Sequence, residues 1–207
     1  MIPFELTCFW FNIEMWWVMQ KVIDEVYEEV KKRCMMPSNA YGIGAWDHHI
    51  LLVYKIAVKN HASYGADRDI VALAALLHDI ASVTNKKFTE EHHIIGATIA
   101  EEILSKYNIQ KDQIELIKKC ILNHRGSRLV DKTTPEEICV ADADAMAHFY
   151  SVPSLLRMVY VEKQMTIDEG AEFVLNKLER SYNKLSEAGK SLIENEREAA
   201  KILLKRI

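Results

Sequence analysis

The chain has 207 residues, 49% apolar and 27% charged, which is the composition of a globular chain of ordinary domain size rather than a disordered or fibrous one. Its net charge is −4, with no long block of one sign, so nothing advertises a nucleic-acid surface or an acidic-membrane surface. Seven Gly and four Pro are few for the many turns of an all-β protein. Cys8, Cys34, Cys120 and Cys139 form no C-x-x-C pair. That argues against a cysteine zinc site and for reduced core thiols in a cytoplasmic protein.

The first twenty residues, "MIPFELTCFWFNIEMWWVMQ", are rich in Trp, Phe and Met. They lack a basic leader and carry Glu5 and Glu14. They therefore make a poor signal peptide and too interrupted a membrane span. They read as an apolar extension that packs on the domain or on a second copy of the chain, in a homodimer. A true start at Met15 or Met19 stays open.

From Met19 the spacing is helical, with Val22, Ile23, Val26, Tyr27 and Val30 following the i, i+3, i+4 rule. "PSNAYGIGAW" is a loop, after which Asp47 is placed to cap a helix bearing Ile50, Val53, Tyr54 and Ala57. Asp67 is placed to cap the next. Its run Ile70 to Leu77 is apolar on every side, so period alone does not separate a buried helix from a buried strand, although its three alanines favour helix. Helices are expected at about Glu90–Tyr107 and Lys111–Asn123. Two more start at the capping boxes Thr134-Pro135-Glu136-Glu137 and Thr166-Ile167-Asp168-Glu169, and the last starts at about Lys190. "AGKS", Ala188 to Ser191, is not a phosphate-binding loop, because Lys184 stands where that motif needs a Gly. The expectation is one all-α helical bundle. Residues 1–45 are the extension and first helix, 46–150 the core, and 151–207 C-terminal helices packed on it.

The run "IVALAALLHDIASVTN" ends eight apolar residues on a histidine and an aspartate side by side. A buried carboxylate beside an imidazole is costly unless it is paired or bound to a metal. His49, His78-Asp79, His92, His124 and Asp144 fall on different helices or helix ends. Imidazole nitrogen and carboxylate oxygen suit divalent ions, and bundles build such sites by pointing ligands inward from facing helices.

"DHHILLV", "AALLHDI" and "ADADAM" together resemble the motifs of the HD-domain metal-dependent phosphohydrolases, over about Trp46 to Phe149. "HHIIGA" and "ILNHR" are similar to the added histidine motifs of the binuclear members. The resemblance implies metal ligands His49, His78, Asp79, His92, His124 and Asp144, with Asp142 as the alternative late ligand. His92 fits the spacing to Gly96 and His93 does not. Asp79 would bridge two ions and carry the catalytic role. His49 and Asp144 would complete one site, and His92 and His124 the other. One or two divalent ions per chain are implied, drawn from Mn, Fe, Ni, Co, Mg or Zn.

The pattern departs from the family at Leu52, where an Arg is frequent. It departs at Ser82, where the deoxynucleoside monophosphatases carry Glu. It also lacks the Gly-Tyr-Pro segment of the cyclic-dinucleotide phosphodiesterases. His48, His93 and His148 read as outer or surface groups, and His61 as structural. Arg125, Arg128, Lys86 and Lys87 are candidates to meet an anionic substrate; a solvated face is the plain alternative. The implied activity is hydrolysis of a nucleotide or other small phosphorylated metabolite by a metal-activated water. The alternatives are a di-iron oxygenase of the same type and a non-catalytic nucleotide or metal sensor. The expected partner is a small phosphorylated substrate, with no nucleic acid and no membrane.

Overall fold

Asp67 starts the central helix in the way its side chain allows. Its carboxylate accepts from the backbone N–H of Asp69 at 2.8 Å and of Ile70 at 3.1 Å. The ambiguous run is therefore a helix, α3 (Arg68–Leu77), and each residue from Ile70 to Leu77 is buried. An all-round apolar helix has to sit at the centre of a bundle. The structure is a computed structural model that describes residues 4–42, 44–125 and 131–205, with side chains from residue 17 onward. Residues 1–16, Arg128 and the ends of the chain's first and last segments lie wholly or by their side chains outside that description.

Around α3 pack α1 (Phe4–Cys34), α2 (Leu51–Tyr64), α6 (Lys111–Asn123) and α7 (Pro135–Tyr150). The short α4 (Ile80–Thr84) follows α3 directly and lies against α5 (His92–Leu104), which pairs with α6. After α7 come α8 (Val152–Arg157), α9 (Ile167–Tyr182) and α10 (Glu187–Leu204), the last two resting on α7. The described residues form an all-α fold without strands. No helix among them is long and apolar enough to cross a membrane.

Three expected boundaries differ, each for a local reason. Asp47 does not cap α2. The chain enters through a π-helical turn, Trp46–Ile50, whose N-cap is Ala45 with no side-chain bond. The wall expected from Glu90 to Tyr107 is shorter, because α5 ends at Leu104 in a turn with Tyr107 N–H on the Leu104 carbonyl at 3.0 Å. The last helix begins earlier than Lys190, because the Ser186 hydroxyl accepts from Gly189 N–H at 3.2 Å and caps it. The "AGKS" stretch is the first turns of that helix. Gly65 ends α2 at φ +68°, a left-handed position that glycine takes without strain, and His61 Nδ1 bonds the Ala66 carbonyl at 3.0 Å just beyond.

Glu137 is the polar anchor between α6 and α7. Its carboxylate is fully buried, accepts from Asn123 Nδ2 at 2.6 Å and Thr134 N–H at 3.0 Å, and pairs with Lys119 at 3.2 Å. Burial alone would raise its pKa, but these donors hold it below the ordinary value. Removing one member of such a set strands the others. Glu137→Ala is expected to lower the unfolding free energy by about 3 kcal/mol. Urea denaturation measures this, and an unchanged midpoint would show that the network contributes nothing.

Candidate metal centre

The break between α3 and α4 falls on the His-Asp doublet. His78 keeps helical angles, while Asp79 turns to φ −110° and ψ 17° and starts α4. Both side chains thereby leave the helix wall and meet His49, His92, His124 and Asp144 from four other elements. His49 arrives on the π-helical turn, where the extra residue re-aims the side chain, a device common at functional sites. Edge-to-face packing of Tyr27 on Trp46, with ring centroids 4.6 Å apart, holds that turn on α1.

Asp79 faces two ways. Its Oδ2 lies 3.2 Å from His49 Nε2 and 3.4 Å from His78 Nε2. Its Oδ1 lies 3.5 Å from His92 Nε2 and 3.9 Å from His124 Nε2. Asp144 Oδ1 stands 3.4 Å from His49 Nε2 and 4.0 Å from His78 Nε2, on the first side only. Two groups of side chains that could hold a metal ion thus share one carboxylate.

The histidine tautomers test whether cations fit. His78, His92 and His124 each donate Nδ1–H to the carbonyl three residues earlier: Ala75 at 2.7 Å, Thr89 at 2.7 Å and Ile121 at 2.6 Å. A carbonyl only accepts, so a neutral ring held this way has a bare lone pair at Nε2. The Nε2 atoms of His92 and His124 face each other at 3.2 Å. Two lone pairs so placed repel unless a cation lies beside both. That spacing is about what two neighbouring ligands show around an ion with bonds near ~2.1 Å. Backbone carbonyls on the far ring nitrogen are the usual orienting partners of ligating histidines. The residues fit a divalent ion on each side.

Electrostatics differ between the two sides. Burial disfavours a charged His78, but the neighbouring Asp79 carboxylate outweighs it and lifts the pKa to about 9. Burial likewise works against an ionised Asp79, and His78 and His49 hold it well below the usual carboxylate range. Asp144 is half-buried, which works against its ionised form, yet His49, His148 and His78 draw it down to about 2. On the second side, burial and then the His78 charge push His124 down to about 4.

The HD domain family matches residues 46–148, about half of the chain and all six of these side chains. The chain belongs to the HD-domain family. An uncharacterized protein of Clostridium beijerinckii is 34% identical over 82 residues, which are 39% of this chain and 52% of that protein. A bifunctional uridylyltransferase/uridylyl-removing enzyme of Erythrobacter litoralis is 29% identical over 102 residues, 49% of this chain and 10% of that enzyme. The chain thus spans about half of the first relative and a tenth of the second. No solved structure matches it.

Within the HD core the choice between the two late aspartates is geometric. Positions two apart on a helix point about 200° away from each other. Asp144 faces the histidines. Asp142 faces the start of α10 and the end of α2 instead: it accepts from Ser186 N–H at 3.1 Å and from the Ser186 hydroxyl, and from Tyr64 Oη on α2 at 3.0 Å.

The metal groups open into a cavity of about 440 Å³. Arg125 lines it, with its guanidinium on the Glu90 carbonyl at 2.7 Å. Lys86 and Lys87 do not line it; they are exposed on a short 3-10 turn, Lys86–Phe88. Arg128 lies outside the described residues. His48 lines the cavity at its exposed edge, while His93 is buried on α5. Leu52 and Ser82, the two departures from the family pattern, do not line it; Ser82 is fully buried on α4.

On the opposite wall, His148 reads in sequence as an outer or surface group, and the basic residues there are not singled out. His148, four residues after Asp144 on the same face of α7, stacks on His49 with ring centroids 5.8 Å apart and bonds the Ser181 hydroxyl at 3.0 Å. Its spacing to Asp144 was the available signal. Arg157, Lys177 and Lys184 also line the cavity, from elements beyond the family match. No motif marks them.

Proposed function

We propose that the protein is a metal-dependent phosphohydrolase acting on a nucleotide or another small phosphorylated metabolite. The observation that carries this reading is the two-faced Asp79 carboxylate between facing histidine pairs, at the floor of a cavity with basic walls. His49, His78, Asp79 and Asp144 would hold one divalent ion, and Asp79, His92 and His124 a second. A bound divalent ion supplies Lewis acidity toward a water and toward phosphoryl oxygens.

The chain's own groups do the rest. The carbonyls of Ala75, Thr89 and Ile121 hold three imidazoles in one tautomer, so their Nε2 atoms need no reorientation on binding. The Arg125 guanidinium, steadied by the Glu90 carbonyl, presents positive charge to a phosphoryl group entering above the second histidine pair. The apolar side chains of Leu155 and Met158 line the same space and limit water around the ester. The name of the Erythrobacter relative, a uridylyltransferase/uridylyl-removing enzyme, is in keeping with a nucleotide-type substrate.

Metal analysis of protein purified without added metal, followed by a phosphatase screen, tests the reading. Metal-dependent phosphate release is the expected outcome. Two irons, oxygen consumption and no phosphate release would move the assignment to the oxygenase alternative. Full activity in chelator would exclude both.

His124→Ala is expected to lose one ion per chain and keep a residual rate, because it empties only the second side. His78→Ala should be the more severe of the pair, because it removes a ligand beside both Asp79 and Asp144. Metal stoichiometry by elemental analysis measures both. An unchanged content in the His124 variant would mean that the second side holds no ion and that His124 meets the substrate.

A further inference from the structure

Four cationic side chains reach the cavity beyond its metal ligands, and they are not equivalent. Arg157 is paired with Glu162, which lines the same wall, so its charge is matched. Arg125 stands at the His124 end. Lys177 on α9 and Lys184, seven residues later, stand at the Asp144 and His148 end. Neither ammonium makes a hydrogen bond or an ion pair within 4 Å among the described residues. Lys177 is half-buried, and burial, with Lys184 and Arg180 nearby, pulls its pKa below the ordinary value against the opposing pull of Asp144. An ammonium partly withdrawn from water without a partner, as that of Lys177 is, is costly unless a ligand supplies the counter-charge; Lys184 beside it is exposed.

Charge matching indicates what that ligand is. Two divalent ions set against the Asp79 and Asp144 carboxylates leave two positive charges, which one phosphate-ester dianion balances. Arg125 and the two lysines remain in excess of that balance, the lysines beside Asp144 and His148.

We propose that Lys177 and Lys184 form a subsite for a second anionic group, so that the substrate is a phosphate ester bearing a further carboxylate or phosphate. This rests on the phosphohydrolase reading and narrows its substrate class. Both lysines lie outside residues 46–148, so the C-terminal helices act as the specificity wall of the HD core.

Glycerol 3-phosphate and 3-phosphoglycerate share a three-carbon scaffold and differ by one carboxylate, and calorimetry on the protein as purified compares them without relying on turnover. Wild type is expected to bind 3-phosphoglycerate about tenfold or more tightly, a difference of about 1.4 kcal/mol. The Lys177→Gln/Lys184→Gln double variant should lose this preference and keep its affinity for glycerol 3-phosphate. The Lys177→Arg/Lys184→Arg variant, which keeps both charges, should retain it, as should Lys86→Gln/Lys87→Gln on the exposed turn. Equal affinities in wild type, or an undiminished preference in the double Gln variant, would overturn the subsite. Preference in binding with no hydrolysis of any phosphate ester would uphold the subsite and remove the phosphohydrolase reading instead.

Discussion

Asp79→Ala is expected to abolish metal retention at both positions and, with it, hydrolysis. One carboxylate faces both histidine pairs, at 3.2 Å and 3.4 Å on one oxygen and at 3.5 Å and 3.9 Å on the other. No other described carboxylate reaches the second pair, since Asp144 stands with the first. The loss of rate should exceed the ~10²–10³-fold that removing one charge-stabilising donor costs, because two cations leave together.

The metal-free fold should survive this change, and the structure shows why the cost is not negligible. Asp79 is not an isolated buried charge in the metal-free protein; it pairs with His78 and His49. Its removal takes the counter-ion from His78, which can then shed its proton rather than remain charged and alone. A loss of about 1–3 kcal/mol in unfolding free energy is expected, short of what a truly stranded ion costs. Elemental analysis, circular dichroism and urea denaturation read the three quantities. Normal metal content at normal rate would rule out the bridging role.

The metal-free protein should be most stable near pH 6.5 and weaken on both sides. His78 has its pKa raised from 6.5 to about 9 in the folded chain. Its contribution is complete below 6.5 and is lost as pH rises through about 9, at up to about 1 kcal/mol per pH unit. His124 and His148 run the other way, pushed down from 6.5 to about 4 and about 3, in both cases chiefly by burial. The unfolded chain then binds two more protons than the folded one as pH falls below 6.5, so the acid limb should be about twice as steep.

Metal shifts this balance, because His78 must give up its proton to bind. Apparent metal affinity should therefore rise about tenfold per pH unit toward pH 9, and saturating metal should flatten the alkaline limb. Urea titrations in chelator from pH 5 to 9, repeated with metal, measure both effects. Stability in chelator that climbs steadily from pH 6.5 to 9 would contradict the His78–Asp79 pairing.

Much of this site is legible along the chain because five of its six candidate ligands sit where helices start and stop, Asp144 within α7 being the exception. Capping residues, Gly and Pro mark those places, and an ionisable pair closing an apolar run such as "AALLHDI" has few cheap explanations. The capping boxes at Thr134 and Thr166 are likewise local: a side chain and a backbone N–H three residues apart meet without help from the rest of the fold. The helix ends were less legible where a turn rather than a cap decides them, as at Leu104, or where the entry is π-helical, as at Trp46–Ile50.

By itself the sequence determined an all-α chain, the family, and the six residues whose types suit a divalent ion, because period, capping and ligand chemistry are properties of short stretches. Tertiary structure decided everything that depends on which faces meet. It settled the Ile70–Leu77 run as a helix enclosed on all sides. It turned Asp144 toward the histidines and Asp142 toward α10, and it left Lys86 and Lys87 facing solvent. It also carried Lys177 and Lys184 to a cavity whose floor lies about a hundred residues earlier in the chain. An ammonium on a surface helix looks the same in sequence wherever that helix docks; only the packing of α9 on α7 sets what it faces.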